Sequence, residues 1–176
     1  MIETVSTREA YRNPWMTVRE DVVRFADGSE GIYGVIDNPD FAMVVPYADG
    51  GFWLVEQYRY PVRRRAWEFP QGSWGAHGGG SQEDLARAEL REETGFEAGE
   101  MRQLGHFCEA YGLSSQGCDL YLATSLTGGE PQRESTEQDM VHAWFSEADF
   151  RQMIRDGKIV DAATLAAYSY FLLDRG

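Results

Sequence analysis

The chain runs to 176 residues, 43% of them apolar and 13% aromatic, with 16 Lys and Arg against 29 Asp and Glu for a formal net charge of −13. That length and apolar content fill one globular core, so neither disorder nor a miniprotein held by disulfides is needed to account for the chain. So acidic a chain repels phosphate backbones at long range, which argues against nucleic acid as a partner and leaves open a small polyanion bound through metal ions.

Two cysteines, Cys108 and Cys118, suit a reducing compartment. The opening residues Met1-Ile2-Glu3-Thr4-Val5-Ser6 have no basic region and no apolar run, unlike a secretory signal, so a cytoplasmic protein is expected. The apolar-leaning stretch at 162–173 is too short to span a bilayer and is broken by Thr164 and Ser169, so no membrane partner is expected.

In chain order, a short N-terminal arm leads to strands predicted at 16–25 and 31–36, joined by the turn Ala26-Asp27-Gly28. A second pair is predicted at 41–45 and 52–55 around Ala48-Asp49-Gly50-Gly51, so that four strands precede any helix. A loop with five glycines fills 70–81. Ser81 then caps a helix at 82–94, with Asp84 at the third helical position as a variant capping box and Gly95 as the stop. Later strands are predicted at 101–107, 119–124 and 140–145, and helices at 146–156 and 161–173, the last capped by Asp161. Strands on both sides of a central helix, with terminal helices, imply a mixed α/β sandwich of the α+β type and not a doubly wound parallel sheet. No repeat or low-complexity linker divides the chain, so one domain over 1–176 is expected.

The helix at 82–94 carries the chemistry. At about 100° per residue, Glu89, Glu92 and Glu93 share roughly one hundred degrees of arc, with Arg87 and Arg91 on the far side. Like charges at this spacing cost about 0.2–0.5 kcal/mol per pair, and these lie near the negative end of the helix dipole. A positive partner is called for, and hard divalent cations such as Mg²⁺ choose carboxylate and carbonyl oxygens and bridge to phosphate. The alternative for a lone Glu-Glu pair is a solvated acidic face. His77, His106 and His142 share no ligand spacing, and Cys108 and Cys118 form no close pair, so a zinc site is not expected. No Ser-His-Asp signature or Gly-Lys-Ser/Thr phosphate loop occurs.

Glu68-Phe69-Pro70-Gln71-Gly72 ahead of the loop, with Ala88-Glu89-Leu90-Arg91-Glu92-Glu93-Thr94-Gly95-Phe96 on the helix, resembles the Nudix hydrolase signature. That signature runs Gly, five residues, Glu, seven residues, Arg-Glu, an aliphatic residue, any residue, Glu-Glu, any residue, Gly and an aliphatic residue. Glu89, Leu90, Glu92, Glu93 and Gly95 match in register, whereas Gly80 and Ala88 stand where the signature has its first glutamate and its arginine, and Glu83 and Arg87 are out of register. Val55-Glu56-Gln57-Tyr58-Arg59-Tyr60 and Gly157-Lys158-Ile159-Val160-Asp161-Ala162-Ala163-Thr164 look like the ADP-ribose pyrophosphatase branch, so that the resemblance covers most of the chain.

The resemblance implies a Nudix fold and hydrolysis of the diphosphate of a nucleoside diphosphate sugar, ADP-ribose first, to AMP and ribose 5-phosphate. It implies Mg²⁺ or Mn²⁺ held by Glu89 and Glu93 with Glu92 adjacent, and by the backbone carbonyl of Gln71. GDP-mannose or a dinucleotide is the alternative substrate, and a weakly catalytic nucleotide sensor the alternative class. Arg59 can hold phosphate through a charge-assisted fork, against a plain surface role, which is also the reading of Arg63, Arg64 and Arg65. Glu68 stands at a family position that faces the site, or is an edge-strand carboxylate. Trp15 and Tyr33 stand on either side of the first predicted turn and offer two faces for a base, or are core aromatics. The branch forms such a slot across a homodimer with exchanged N-terminal strands, which would assign 1–38 to dimerisation. In the acidic loop before the last strand the resemblance makes Glu137 the residue that activates water, with Glu134 second; a general base needs a carboxylate within reach of that water.

Overall fold

The computed structural model describes residues 1–74, 79–133 and 137–176. Three antiparallel strands open the chain, β1 (Glu3–Arg12), β2 (Thr17–Arg24) and β3 (Glu30–Asp37), in the order β1-β2-β3. The sequence pattern makes the first residues an arm, and β1 corrects that. Every residue of β1 is exposed, so no apolar alternation marks it; it is a strand because its backbone pairs with β2 from Glu3↔Arg24 to Arg12↔Thr17. The far end of this sheet is fastened to the body where Ile36 N–H donates to the Leu113 carbonyl (2.9 Å) and Ser115 N–H to that of Ile36 (3.1 Å).

The second sheet holds β4 (Phe41–Ala48), β5 (Gly51–Arg59), β6 (Arg64–Glu68) and β7 (Gln71–Gly72). After α1 (Gln82–Thr94) come β8 (Glu97–Cys108), β9 (Gly117–Thr127) and β10 (Val141–Ser146), followed by α2 (Glu147–Arg155) and α3 (Ala162–Arg175). Its main path is β10-β5-β4-β9-β8, with β4 and β9 parallel at the centre. Alternate residues of β4 serve two cores. Phe41, Met43 and Val45 pack with Phe52, Phe69, Phe150 and Phe171 beneath α2 and α3, while Ala42 and Val44 pack with Leu85, Ala86 and Leu90 of α1. Burying each large apolar side chain contributes about 1.5–3 kcal/mol, and a strand covered on both faces has to be apolar throughout. The result is the mixed sandwich that the sequence implies, with α1 on one face and α2 and α3 on the other.

The sheet forks, and the fork places the site. β4 and β5 pair only at Tyr47↔Phe52 and Ala48↔Gly51; beyond that point β6 takes over pairing with β5 and β7 with β4. Val44 N–H donates to the Pro70 carbonyl (2.9 Å) across the gap. The expected count of four strands before the first helix is therefore wrong, because seven precede α1 among the described residues. The run Arg63-Arg64-Arg65 hides β6 behind its charge, and a two-residue strand such as β7 leaves no periodic signal.

Helix α1 spans the residues that the sequence predicts. Ser81 Oγ accepts from Asp84 N–H (3.1 Å) and Asp84 Oδ2 from Ser81 N–H (3.0 Å), a complete capping box. At the other end Gly95 lies at φ 79° and donates to the Arg91 carbonyl (2.9 Å). A Cβ there would also collide with the Gly129 carbonyl, so both the backbone angle and the close approach demand glycine.

Candidate active site

The open end of the fork faces α1 across a cavity of about 600 Å³, whose wall includes Trp15, Gln71, Gly72, Glu89, Glu92 and Glu137. Strand β7 supplies Gln71 and Gly72, and α1 supplies the glutamates one turn apart. A Cβ at Gly72 would occupy the space of the Glu89 carboxylate, so strand and helix approach this closely only because residue 72 has no side chain.

Glu93 lies behind this wall with 1% of its surface exposed, and neither carboxylate oxygen has a hydrogen-bond partner among the described residues. Burial, reinforced by the charges of Glu89, Glu137 and Glu68 and opposed by Arg59, raises its pKa well above the ordinary carboxylate value. An ionised carboxylate left in this state is costly, and charges so buried are found paired or on metals. The donors around the cavity are hard oxygens, which suit Mg²⁺ or Mn²⁺. Among the described residues no three His, Cys, Asp or Glu side chains are gathered into a finished metal cage. The acids spread around the cavity, as mutually repelling anions do. An oxygen donor set, an orphaned buried carboxylate and a side-chain-free cradle at Gly72 together fit a divalent cation.

A second cavity of about 490 Å³ shares Gln71, Gly72 and Gln116 with the first and adds Arg59, Glu68, Glu109 and Asp161. Glu68 is 2% exposed and is gripped by Arg59, Nε to Oε2 at 3.1 Å and Nη2 to Oε1 at 2.5 Å, with Gln57 donating to Oε1 at 2.9 Å. Burial raises the Glu68 pKa and Arg59 works against that rise. Glu68 is thus more than an edge carboxylate: it fixes the guanidinium at the cavity wall. Burial also raises the Glu109 pKa, with Asp161 adding to the effect. Nothing in the local sequence marks Glu109 as a cavity residue.

Trp15 lines the first cavity and is 78% exposed, but Tyr33 lines neither cavity; it pairs with Asp21 across the β2–β3 ladder and is 42% exposed. Glu137 lines the first cavity, whereas Glu134 and His77 lie outside the described residues. Arg65, expected to be a plain surface residue, instead clamps the segment after Glu137. It donates to the Asp139 carboxylate (2.6 Å) and carbonyl (2.9 Å) and to Glu56 Oε2 (2.8 Å). Arg87, out of register for the signature, pairs with Glu83 (2.9 Å) and reaches the Ala98 carbonyl (3.0 Å).

The chain is similar to known proteins in sequence and in fold. A family model described as the nucleoside diphosphate sugar hydrolase N-terminal domain matches residues 2–36, and one described as the NUDIX domain matches residues 38–167. The chain is 31% identical over 166 residues to an ADP-ribose pyrophosphatase of Mycobacterium tuberculosis, covering 93% of this chain and 80% of that protein. It is 26% identical over 175 residues to a methanol dehydrogenase activator of Bacillus methanolicus, covering 97% of this chain and 92% of that protein. An ADP-ribose pyrophosphatase of Bacillus subtilis is 24% identical over 173 residues, at the same coverage of 97% and 92%. A crystal structure of an ADP compounds hydrolase shares the fold, with a TM-score of 0.85 over 99% of this chain and 92% of that one at 21% identity.

The buried Glu93 sets how the metal-free protein responds to pH. Because the folded state holds this proton to a higher pH than the unfolded state, stability falls as pH rises from the ordinary carboxylate pKa through the raised value, and is unaffected below both. Glu93→Gln is therefore expected to fold, to melt higher than the parent without metal at neutral pH, and to lose this window. Thermal melts across pH, with chelator and with added Mg²⁺, check it. Coincident pH profiles for parent and variant would contradict the assignment.

Proposed function

The chain belongs to the Nudix family, as a hydrolase of the ADP-ribose pyrophosphatase type, and from that premise we propose that it cleaves ADP-ribose to AMP and ribose 5-phosphate. The observation that carries this reading is the buried Glu93 carboxylate, unpartnered among the described residues, beside a cavity walled by Glu89, Glu92 and Glu137. Glu89, Glu93 and Glu92, with the Gln71 carbonyl, are the groups that would hold Mg²⁺ or Mn²⁺. When bound, the cation neutralises the diphosphate and lowers the pKa of water beside it, so that an acidic protein can take a polyanion.

The chain's own groups divide the remaining work. Arg59, fixed by Glu68, supplies a lasting positive charge for the diphosphate at the wall of the second cavity. Trp15 offers an exposed aromatic face at the other cavity, on which stacking of a base is worth about 1–3 kcal/mol. Glu137 takes the proton from the attacking water; the water oxygen bonds to phosphorus, the bridging P–O bond breaks, and the departing phosphate carries away the electron pair. The enzyme acts as a homodimer joined through residues 1–38, so that Trp15 and Tyr33 complete one base slot between subunits. Supporting this assembly, β1 is exposed along its whole length, Val5 and Tyr11 included, and stands at the edge of its sheet, a surface that proteins cover.

Incubation with ADP-ribose and Mg²⁺ should yield AMP and ribose 5-phosphate in equal amounts. Glu137→Gln should lower kcat by about 10²–10⁴-fold and leave KM little changed, since the loss falls on the transition state. An unchanged kcat would remove Glu137 as the base but not the hydrolase; release of AMP or GMP only from other nucleoside diphosphate compounds would move the substrate.

Light scattering at micromolar concentration checks the assembly. It should report twice the 19.9 kDa chain mass, and a fully active monomer would overturn the dimer.

A further inference from the structure

The last turn of α1 presents four carbonyls that the helix itself cannot satisfy. Three of them meet named donors: Arg91 O accepts from Gly95 N–H (2.9 Å), Glu92 O from Gln132 N–H (2.9 Å) and Glu93 O from Arg133 Nε (3.1 Å). The last two donors come from the segment leading to Glu137, and they land on two of the three residues whose side chains form the acidic cluster. Arg133 makes a further contact, Nη2 to His142 Nδ1 at 2.8 Å. A guanidinium can only donate, so Nδ1 accepts and the ring carries its proton on Nε2. Burial and the Arg133 charge both lower the His142 pKa, which keeps the ring in that neutral form. The ring is fixed in turn against Trp53 (5.7 Å) and Phe96 (6.2 Å), the latter directly after the Gly95 stop.

We propose that Arg133 is a positioning residue for hydrolysis, tying the segment that carries Glu137 to the turn of α1 that carries Glu92 and Glu93. Its planar fork spans two acceptors on different elements, the Glu93 carbonyl on α1 and the His142 ring on β10, which a single ammonium cannot do with the same geometry. Beyond it the Gln138 side chain donates to the Arg133 carbonyl (3.1 Å), and Met140 N–H closes a turn on the Glu137 carbonyl (2.9 Å). With Arg65 holding Asp139 from the other side, the stretch around Glu137 is fastened at both ends. A positive charge at the helix C-terminus also opposes the negative end of the dipole where the carboxylates crowd. The inference rests on the reading of Glu137 as the base.

The test uses Arg133→Met and Arg133→Lys, each alone and with Glu137→Gln, in full-length protein with ADP-ribose and Mg²⁺. Arg133→Met should lower kcat by about 10- to 100-fold with KM nearly unchanged, and Arg133→Lys should restore part of the loss. In the Glu137→Gln background, Arg133→Met should cost less than about threefold more, because both substitutions remove the same function. Nitrogen-15 spectra should show an unprotonated His142 Nδ1 whose signal moves in Arg133→Met, and hydrogen exchange should quicken at the Gln132 and Met140 amides. A parental kcat in Arg133→Met, or losses that multiply, would overturn the proposal. If Glu137→Gln alone turns over normally, the base assignment falls, and amide exchange decides the tether by itself: unchanged exchange in Arg133→Met overturns it.

Discussion

A carboxylate sealed from water, with no hydrogen-bond donor among the described residues, is the constraint on which this structure turns. Glu93 is inside because α1 buries the stripe Leu85, Ala86 and Leu90 against the sheet, and the same helical face that is pressed inward carries the glutamate with it. No hydrogen-bond donor among the described residues reaches it, and against the pull of Arg59 the charges of Glu89, Glu137 and Glu68 add to the cost of burial. On the proposed reading, keeping such a group costs the metal-free fold stability that cation binding offsets.

The remaining architecture serves to hold other groups at fixed distances from that point. The fork between β4 and β5 admits β7, which brings Gly72 against Glu89, and β6, which ends in Glu68 and so fixes Arg59. Capping at both ends of α1 prevents the acidic turn from fraying under its own repulsion. Gly80, where the Nudix signature has its first Glu, leaves room that an aromatic uses: a Cβ on Gly80 would lie 3.1 Å from the Trp74 indole, and Trp74 packs on the apolar cluster under α1. The start of the glycine loop is therefore held by apolar contact.

Much of this was legible in the sequence for local reasons. Ser81, Asp84 and Gly95 are caps whose chemistry depends on residues three or four positions away, so α1 could be bounded to the residue, and β4 announces itself as a wholly apolar strand. What escaped depends on distant partners. Strand β1 has no buried face, β6 is written in arginines, and Arg65 and Arg133 gain their roles from Asp139, His142 and the end of α1, between 9 and 74 positions away in the chain. The cluster Glu89, Glu92 and Glu93 was visible as a shared helical face, but that Glu93 alone of the three would be sealed, with Glu89 and Glu92 left on the cavity wall, follows only from how α1 rolls onto the sheet.

The claim that Glu93 is buried to hold a divalent cation is tested most directly by anomalous diffraction from crystals grown with Mn²⁺. The account predicts an anomalous peak about 2.1 Å from a Glu93 carboxylate oxygen, with Glu89 or Glu92 in the same coordination sphere. A well-ordered crystal in which manganese binds elsewhere, leaving the Glu93 carboxylate enclosed and without a partner, would contradict it.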